Sequence, residues 1–428
     1  MRRSGALTLG VVLTLGGVTG GRGQELSGSL ATANTPSLGG FVLPALPENW
    51  ADLPFTLNAS QTESYDSNIN AIPLGVPVPA GEARADLTST TNLGFSTKAN
   101  VYNQQLYLDA TFGVVRYLRQ TDFDSNIYSL SAGDNWNLTS RCSGNLGVVL
   151  DKSPVTLLTT VVGTGANYAT TTSFNETGKC GVSNGFSLLF NSSWTDLTNS
   201  NPIDALNNSR VTMLSAGIEY AKGASTVTAL ANNSYTIYGA RGTAVTTLGL
   251  ANVTDFHTFS LAYARQINPN LSVNALVGLV GTTSAFNLGL PRTLLPIYTL
   301  GTTWTISPRL TLSASASKTI APPTTIVANA QTSYVAETSL VYQLTPKVAV
   351  NVGGSIGYTS GTFTPVVPTS LAPILTGASN NYSVNAGLTY AMTPFLSAAL
   401  HASYTEVVID HFITPEDLVT VSLNYRPY

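Results

Sequence analysis

Four times, at residues 267–279, 306–317, 344–352 and 392–404, the chain presents an apolar residue, a small polar residue, proline, one further residue and then an alternating run. The run after Lys347 shows the pattern most fully. Val348, Val350, Val352, Ile356 and Tyr358 fall on one side, and Ala349, Asn351, Gly353, Ser355 and Gly357 on the other. A period of two is that of a β-strand, and a tight turn joins antiparallel strands. What constrains the fold is the second face, which is small and uncharged, where a half-buried strand of a water-soluble sheet carries long polar or charged residues.

Weaker copies of the turn lie at 138–150 and 176–190, and further tight turns are expected near 97–100 and 221–225. The repeat is roughly forty residues, as in a WD-type propeller, but the signature dipeptide of such blades is absent. Two long alternating segments lie between successive turns instead, separated by a variable link such as "NSNPIDALNNS". A hairpin tight at one end and long at the other is the unit of a transmembrane barrel, whose tilted strands cross hydrocarbon in about ten residues. In 310–317, Leu310, Leu312, Ala314 and Ala316 oppose Thr311, Ser313, Ser315 and Ser317; near the C-terminus, Val419, Val421, Leu423 and Tyr425 oppose Thr420, Ser422 and Asn424. One face suits lipid and the other water. Backbone groups in lipid must pair within the protein, so such strands close on themselves. Eight tight turns plus one strand at each terminus predict an all-β, transmembrane, antiparallel up-and-down barrel of about 18 strands, 16 to 18 being the range, over residues 54–428. A ring of that size is too wide for side chains to fill and leaves an aqueous lumen.

Composition agrees. Only 10% of the 428 residues are charged, against about a quarter in soluble domains. Apolar residues make up 43%, so Ser, Thr, Asn and Gly have replaced the missing charge. No apolar run reaches the length of a transmembrane helix. Residues 1–23, with Arg2 and Arg3 before a short apolar stretch, read as a secretory signal, and 24–53 as a short periplasmic lead-in. The net charge of −3 comes without a basic cluster, which argues against nucleic acid as a partner. Two cysteines and three histidines supply metal chemistry poorly, and no cofactor is expected.

The segment "QTESYDSNIN" (61–70), with Tyr65, Asp66, Asn68 and Ile69, resembles the first strand of outer-membrane β-barrel porins that include exopolysaccharide-operon barrel proteins. A second match is 128–151, where a strand ends at Trp136 and a Leu-Thr-x-Arg turn follows. With the later Thr-Pro turns the resemblance spans most of the chain after the signal. It implies a channel in the bacterial outer membrane, with lipid, polysaccharide and periplasmic export components as partners. The C-terminal strand, with Val421, Leu423, Tyr425 and Tyr428, is similar to the signal read by barrel-assembly machinery, departing from it in ending on Tyr after Pro427.

Asp66 and Asn68 belong at the external rim. They would contact a glycan or a divalent ion there, or cap the strand end, the reading that the turn preference of Asp and Asn favours. Asp109, Arg116, Arg119 and His401 are candidates for the few ionisable lumen or rim positions. His257, His401 and His411 supply no catalytic constellation, so the chain does not read as an enzyme. Trp136, Trp304, Tyr358 and Tyr425 read as interfacial girdles. Cys142 and Cys180 each follow a tight turn, which places a strand between them and separates them by about 9–10 Å. That exceeds the roughly 7 Å limit for a disulfide, so two small rim residues are favoured over a bridge, although the oxidising periplasm permits one. A neutral hydroxyl and amide wall points to export or passage of exopolysaccharide, driven from the inner membrane. A small-solute porin and a non-conducting structural or adhesive barrel are the alternatives.

Overall fold

A computed structural model describes residues 55–426 apart from 71, 73, 79–82, 155–166, 201–204, 206–207, 240–252, 285–293, 322–329, 363–377 and 410–411. The expected signal, the lead-in, His411 and Tyr428 lie outside the described residues. Eighteen strands follow one another: β1 (Phe55–Asp66), β2 (Asp86–Val101), β3 (Gln104–Tyr117), β4 (Ser125–Asn137), β5 (Cys142–Pro154), β6 (Tyr168–Ser183), β7 (Phe186–Asn199), β8 (Ser209–Lys222), β9 (Ser225–Tyr238), β10 (Val253–Asn268), β11 (Leu271–Ser284), β12 (Leu294–Ser307), β13 (Leu310–Ala321), β14 (Ala330–Thr345), β15 (Val348–Thr362), β16 (Ser379–Ala391), β17 (Leu396–Ile409) and β18 (Phe412–Tyr425). Each pairs antiparallel with its neighbours in the chain, and β1 pairs with β18 from Ala59–Tyr425 to Asp66–Leu418. The ring is closed, with every strand paired on both sides.

The turn signature has a local cause. The small polar residue accepts hydrogen bonds from amides two or three positions on: the Thr345 hydroxyl from Val348 at 3.1 Å, Thr393 from Leu396 at 3.0 Å and Thr139 from Cys142 at 3.0 Å. The Asn268 carboxamide does the same for Asn270 at 2.8 Å. Such side chains substitute for backbone partners in turns. The β6–β7 turn uses Asn184 and Gly185, at φ of 47° and 87°, the left-handed pair that a two-residue hairpin requires. All eight of these connections lie at one end, together with the first residue of β1 and the last of β18. Short turns mark the periplasmic side of such barrels.

Alternation sorts the side chains as expected. Phe112, Leu214, Val277, Ile356 and Val384 point outward and are each more than half exposed. A water-soluble monomer does not expose apolar surface on this scale, whereas lipid accepts it. The barrel is a bacterial outer-membrane barrel. Trp136, Trp304, Tyr358 and Tyr425 all lie on this outward face, by their register with exposed apolar neighbours. At the loop end, outward cations lie over rings: Lys152 over Tyr168 at 5.2 Å, Arg210 over Trp194 at 5.7 Å and Lys318 over Tyr334 at 5.3 Å. Their stems lie along apolar surface and their heads reach the interface.

Three expectations need correction. The turn placed near 97–100 lies at Tyr102 and Asn103, since β2 runs on to Val101. The turn placed within 176–190 lies at Asn184–Gly185, so Cys180 sits near the end of β6 and does not begin a strand. It therefore faces Cys142 directly across the β5–β6 ladder, with Cα atoms 4.1 Å apart, and the two form a disulfide. The outward face is also not apolar throughout. On β1 and β2 it carries Glu63, whose carboxylate accepts from the Gln61 amide at 2.7 Å and the Ser89 hydroxyl at 2.8 Å, while Thr91 donates to Gln61. Closing the polar groups on one another reduces what it costs to hold them beside lipid.

Candidate functional site: the lumen wall and its mouths

The lumen face is built on a recurring cross-strand pair of asparagine and glycine. Asn58 faces Gly94, Asn92 faces Gly113, Asn175 faces Gly147, Asn274 faces Gly301, and Asn351 and Asn385 face Gly387 and Gly353. A Cβ built on any of these glycines would press on the facing carboxamide, so the missing side chain is what lets the amide lie across the neighbouring strand. Hydroxyls fill much of the remaining wall, as in the contacts of Ser355 with Ser383 at 2.8 Å and of Ser215 with Asn232 at 3.1 Å. Gly387→Ala is expected to lower stability by about 1–2 kcal/mol, as mild overpacking does. The loss is kept small because the Asn351 carboxamide can swing into the lumen. Chemical denaturation of the folded barrel checks this.

Hydration changes along the bore. Thr389, Ser143 and Lys179 near the turns are exposed, Asn385 and Asn232 midway are half-buried, and the lumen face at the loop end is dry. There Val115, Leu197, Met213, Phe256, Val280 and Val407 point inward and are buried. Phe256 and Val280 pack together, with Leu295 and Ile297 against them. Hydroxyls continue among them on the same face, at Thr195, Thr236, Thr254, Thr359 and Thr405, and these are buried too, so the expected residue types hold at the loop end and the expected water does not.

Asp66 and Asn68 sit at the loop-end rim. The Asp66 carboxylate accepts from the Asn68 amide at 2.7 Å. The buried Asn68 carboxamide donates to the carbonyls of Ile72 at 3.0 Å and Pro415 at 2.9 Å, and accepts from the Ile72 amide at 2.9 Å. Ser67 exchanges bonds with Asp417, and the Leu74 amide reaches the Ile413 carbonyl at 2.8 Å. The link after β1 thus runs on along β18 past the point where the β1–β18 ladder stops, and covers that strand's free edge. Arg119 is fixed beside it through its backbone: buried Asp86 accepts from the amides of Leu87 at 2.8 Å, Arg119 at 3.0 Å and Gln120 at 2.8 Å.

The other candidates are apart. Arg116 is on the outward face of β3, 3.7 Å from Asp124. Asp109 faces the lumen and accepts from the Ser96 hydroxyl. His401 faces the lumen on β17, opposite Gly387 and Thr420, four strands from Asp109 around the ring. The structure therefore gathers Asp66, Asn68 and Arg119 at one rim and leaves Asp109 and His401 as separate wall residues. Sequence reasoning missed the lumen asparagines, Asp86, and Arg141 and Lys179 at the turn-end mouth. The repeated occurrence of Asn and Gly on the lumen parity was the signal for the first group.

No family model matches the sequence, and no curated protein does. Among solved structures, the chain is similar to the siderophore receptor PirA from Pseudomonas aeruginosa, at 12% identity and a TM-score of 0.45 over 87% of this chain and 80% of that one. It is also similar to OpdL from the same organism, at 11% identity and 0.47 over 88% and 99%. A bacterial polysaccharide outer-membrane secretin gives 11% identity and 0.37 over 86% and 98%. At such identities and scores the likeness is to the barrel architecture.

Proposed function

We propose that this outer-membrane barrel is a channel for exopolysaccharide, guiding a glycan from the turn-end mouth along the amide and hydroxyl wall. The observation that carries the reading is the lumen face itself, where asparagine, serine and threonine recur from strand to strand. Pores tuned to small ions carry rings of like charge. Neutral donors and acceptors exchange hydrogen bonds with sugar hydroxyls at little net free energy per contact, which favours sliding over capture. The small-solute porin is the second reading, favoured by the dry loop end, where the lumen-facing side chains are buried. Planar-bilayer recordings separate the two. A glycan channel gives stepwise conductance that linear neutral oligosaccharides interrupt for longer as their length grows. Conductance indifferent to oligosaccharide length supports the porin, and silence from folded, inserted protein contradicts both.

A further inference from the structure

At the turn-end mouth, the lumen side of β4–β7 and the β2–β3 turn border an open cavity of about 610 Å³, within the usual range for small-ligand sites. Its lining includes Asn103, Asn137, Arg141, Ser143, Lys179 and Ser187, and no aliphatic or aromatic side chain contributes. Asn137, Ser143 and Lys179 are successive cross-strand partners. They share the face opposite exposed Leu188 and Phe190, which fixes the cavity to the bore. Gly181 and Ser187, also paired, leave room at its edge.

Electrostatics select among polar ligands. Lys179 is neutralised by Glu219 at 2.5 Å. Arg141, on the β4–β5 turn, has an exposed side chain and no ion pair among the described residues. Its backbone is held by the Gly181 amide, which donates to its carbonyl at 2.8 Å, so the guanidinium projects from a fixed base. The surroundings are cationic: Lys98, Lys222, Arg265, Arg309, Lys347 and Arg426 also stand on or near the turns or just past the last strand, against Glu219, Asp134 and Glu176 at this end. A mouth of one sign draws in ligands of the other.

We infer that this cavity binds an acidic sugar unit of the uronate class, with Arg141 taking the carboxylate and the amides and hydroxyls taking the ring hydroxyls. A guanidinium matches a carboxylate with two parallel bonds. A lining whose side chains, the disulfide-bonded Cys142 apart, all carry hydrogen-bonding groups suits a ligand with hydroxyls around its ring. The inference rests on the glycan reading and specifies it: the polymer bears carboxylates and is received at the turn end.

Titration calorimetry of the detergent-folded full chain tests this with trigalacturonate and maltotriose at low salt. Trigalacturonate is expected to bind at least about 10-fold more tightly than maltotriose, and about 10-fold more weakly to Arg141→Gln than to the unaltered protein, the scale of one lost charge-assisted contact. Arg309→Gln, a turn cation outside the cavity, changes affinity less than about 2-fold. Heat-modifiable gel mobility verifies folding of each variant, and Arg141→Lys, which keeps the charge without the two-pronged geometry, falls between. Equal affinity for the two sugars, equal affinity of Arg141→Gln and the unaltered protein, or no binding overturns the inference. None of these outcomes alters the bilayer result, so the glycan reading fails or stands separately.

Discussion

Asp86→Ala lowers the unfolding free energy of the barrel by about 3 kcal/mol, because a buried carboxylate that receives three backbone amides leaves them unpaired when removed. The residue is 2% exposed and ties the start of β2 to the link between β3 and β4 through Arg119 and Gln120. Water has little access to replace it. Asn68→Ala acts on the same rim by a second route. It releases Ile72 and Pro415 and frees the stretch that covers the edge of β18, for a loss of about 2–3 kcal/mol. Exposed Asp122, in the neighbouring link, serves as control, and its replacement by Ala stays within about 0.5 kcal/mol. Guanidinium unfolding followed by tryptophan fluorescence reads all three. If Asp86→Ala unfolds with the unaltered midpoint, the rim bonds contribute nothing to the barrel and the clamp is wrong.

Removing the disulfide is the second large effect. Cys142 and Cys180 close a segment of 38 residues, and a cross-link of that span restricts the unfolded chain by about 2–4 kcal/mol. The Cys142→Ser/Cys180→Ser variant should lose that amount under oxidising conditions, with its fold intact, because the β5–β6 ladder holds the strands side by side without the bond. Dithiothreitol should bring the unaltered protein to the variant's stability and leave the variant unmoved. Equal stability of the two under oxidising conditions would mean that the cross-link does not constrain the unfolded chain.

Local features were legible in the sequence and register was not. Alternation at Val348–Tyr358 identifies a two-faced strand because the period of two is a property of the strand alone. The Pro-bearing turns are equally local, each with a Thr, Ser or Asn acting within three residues. The two cysteines were misplaced because the weak turn was set ahead of Cys180, while Asn184–Gly185, a strong hairpin signal, stood a few residues later. Moving one turn by a few residues changed two cysteines from strangers into partners. The facing of Asn351 and Gly387 needs the register of β15 against β16, which no single strand carries. Val280 and Phe256 read as lipid-facing or core by type, and only closure of the ring shows them inside and dry. The outward Glu63 shows that parity decides side more firmly than polarity does.

The central claim is that water stands against the asparagine-bearing face and lipid against the other. Single cysteines tested with a charged, membrane-impermeant maleimide measure this most directly, since the native pair is already bonded. In the barrel reconstituted in bilayers, cysteines replacing Asn351, Asn274 and Asn175 should be labelled, and those replacing Val352, Val277 and Leu214 should not. Equal labelling of the two sets, or labelling of the second alone, would contradict the account.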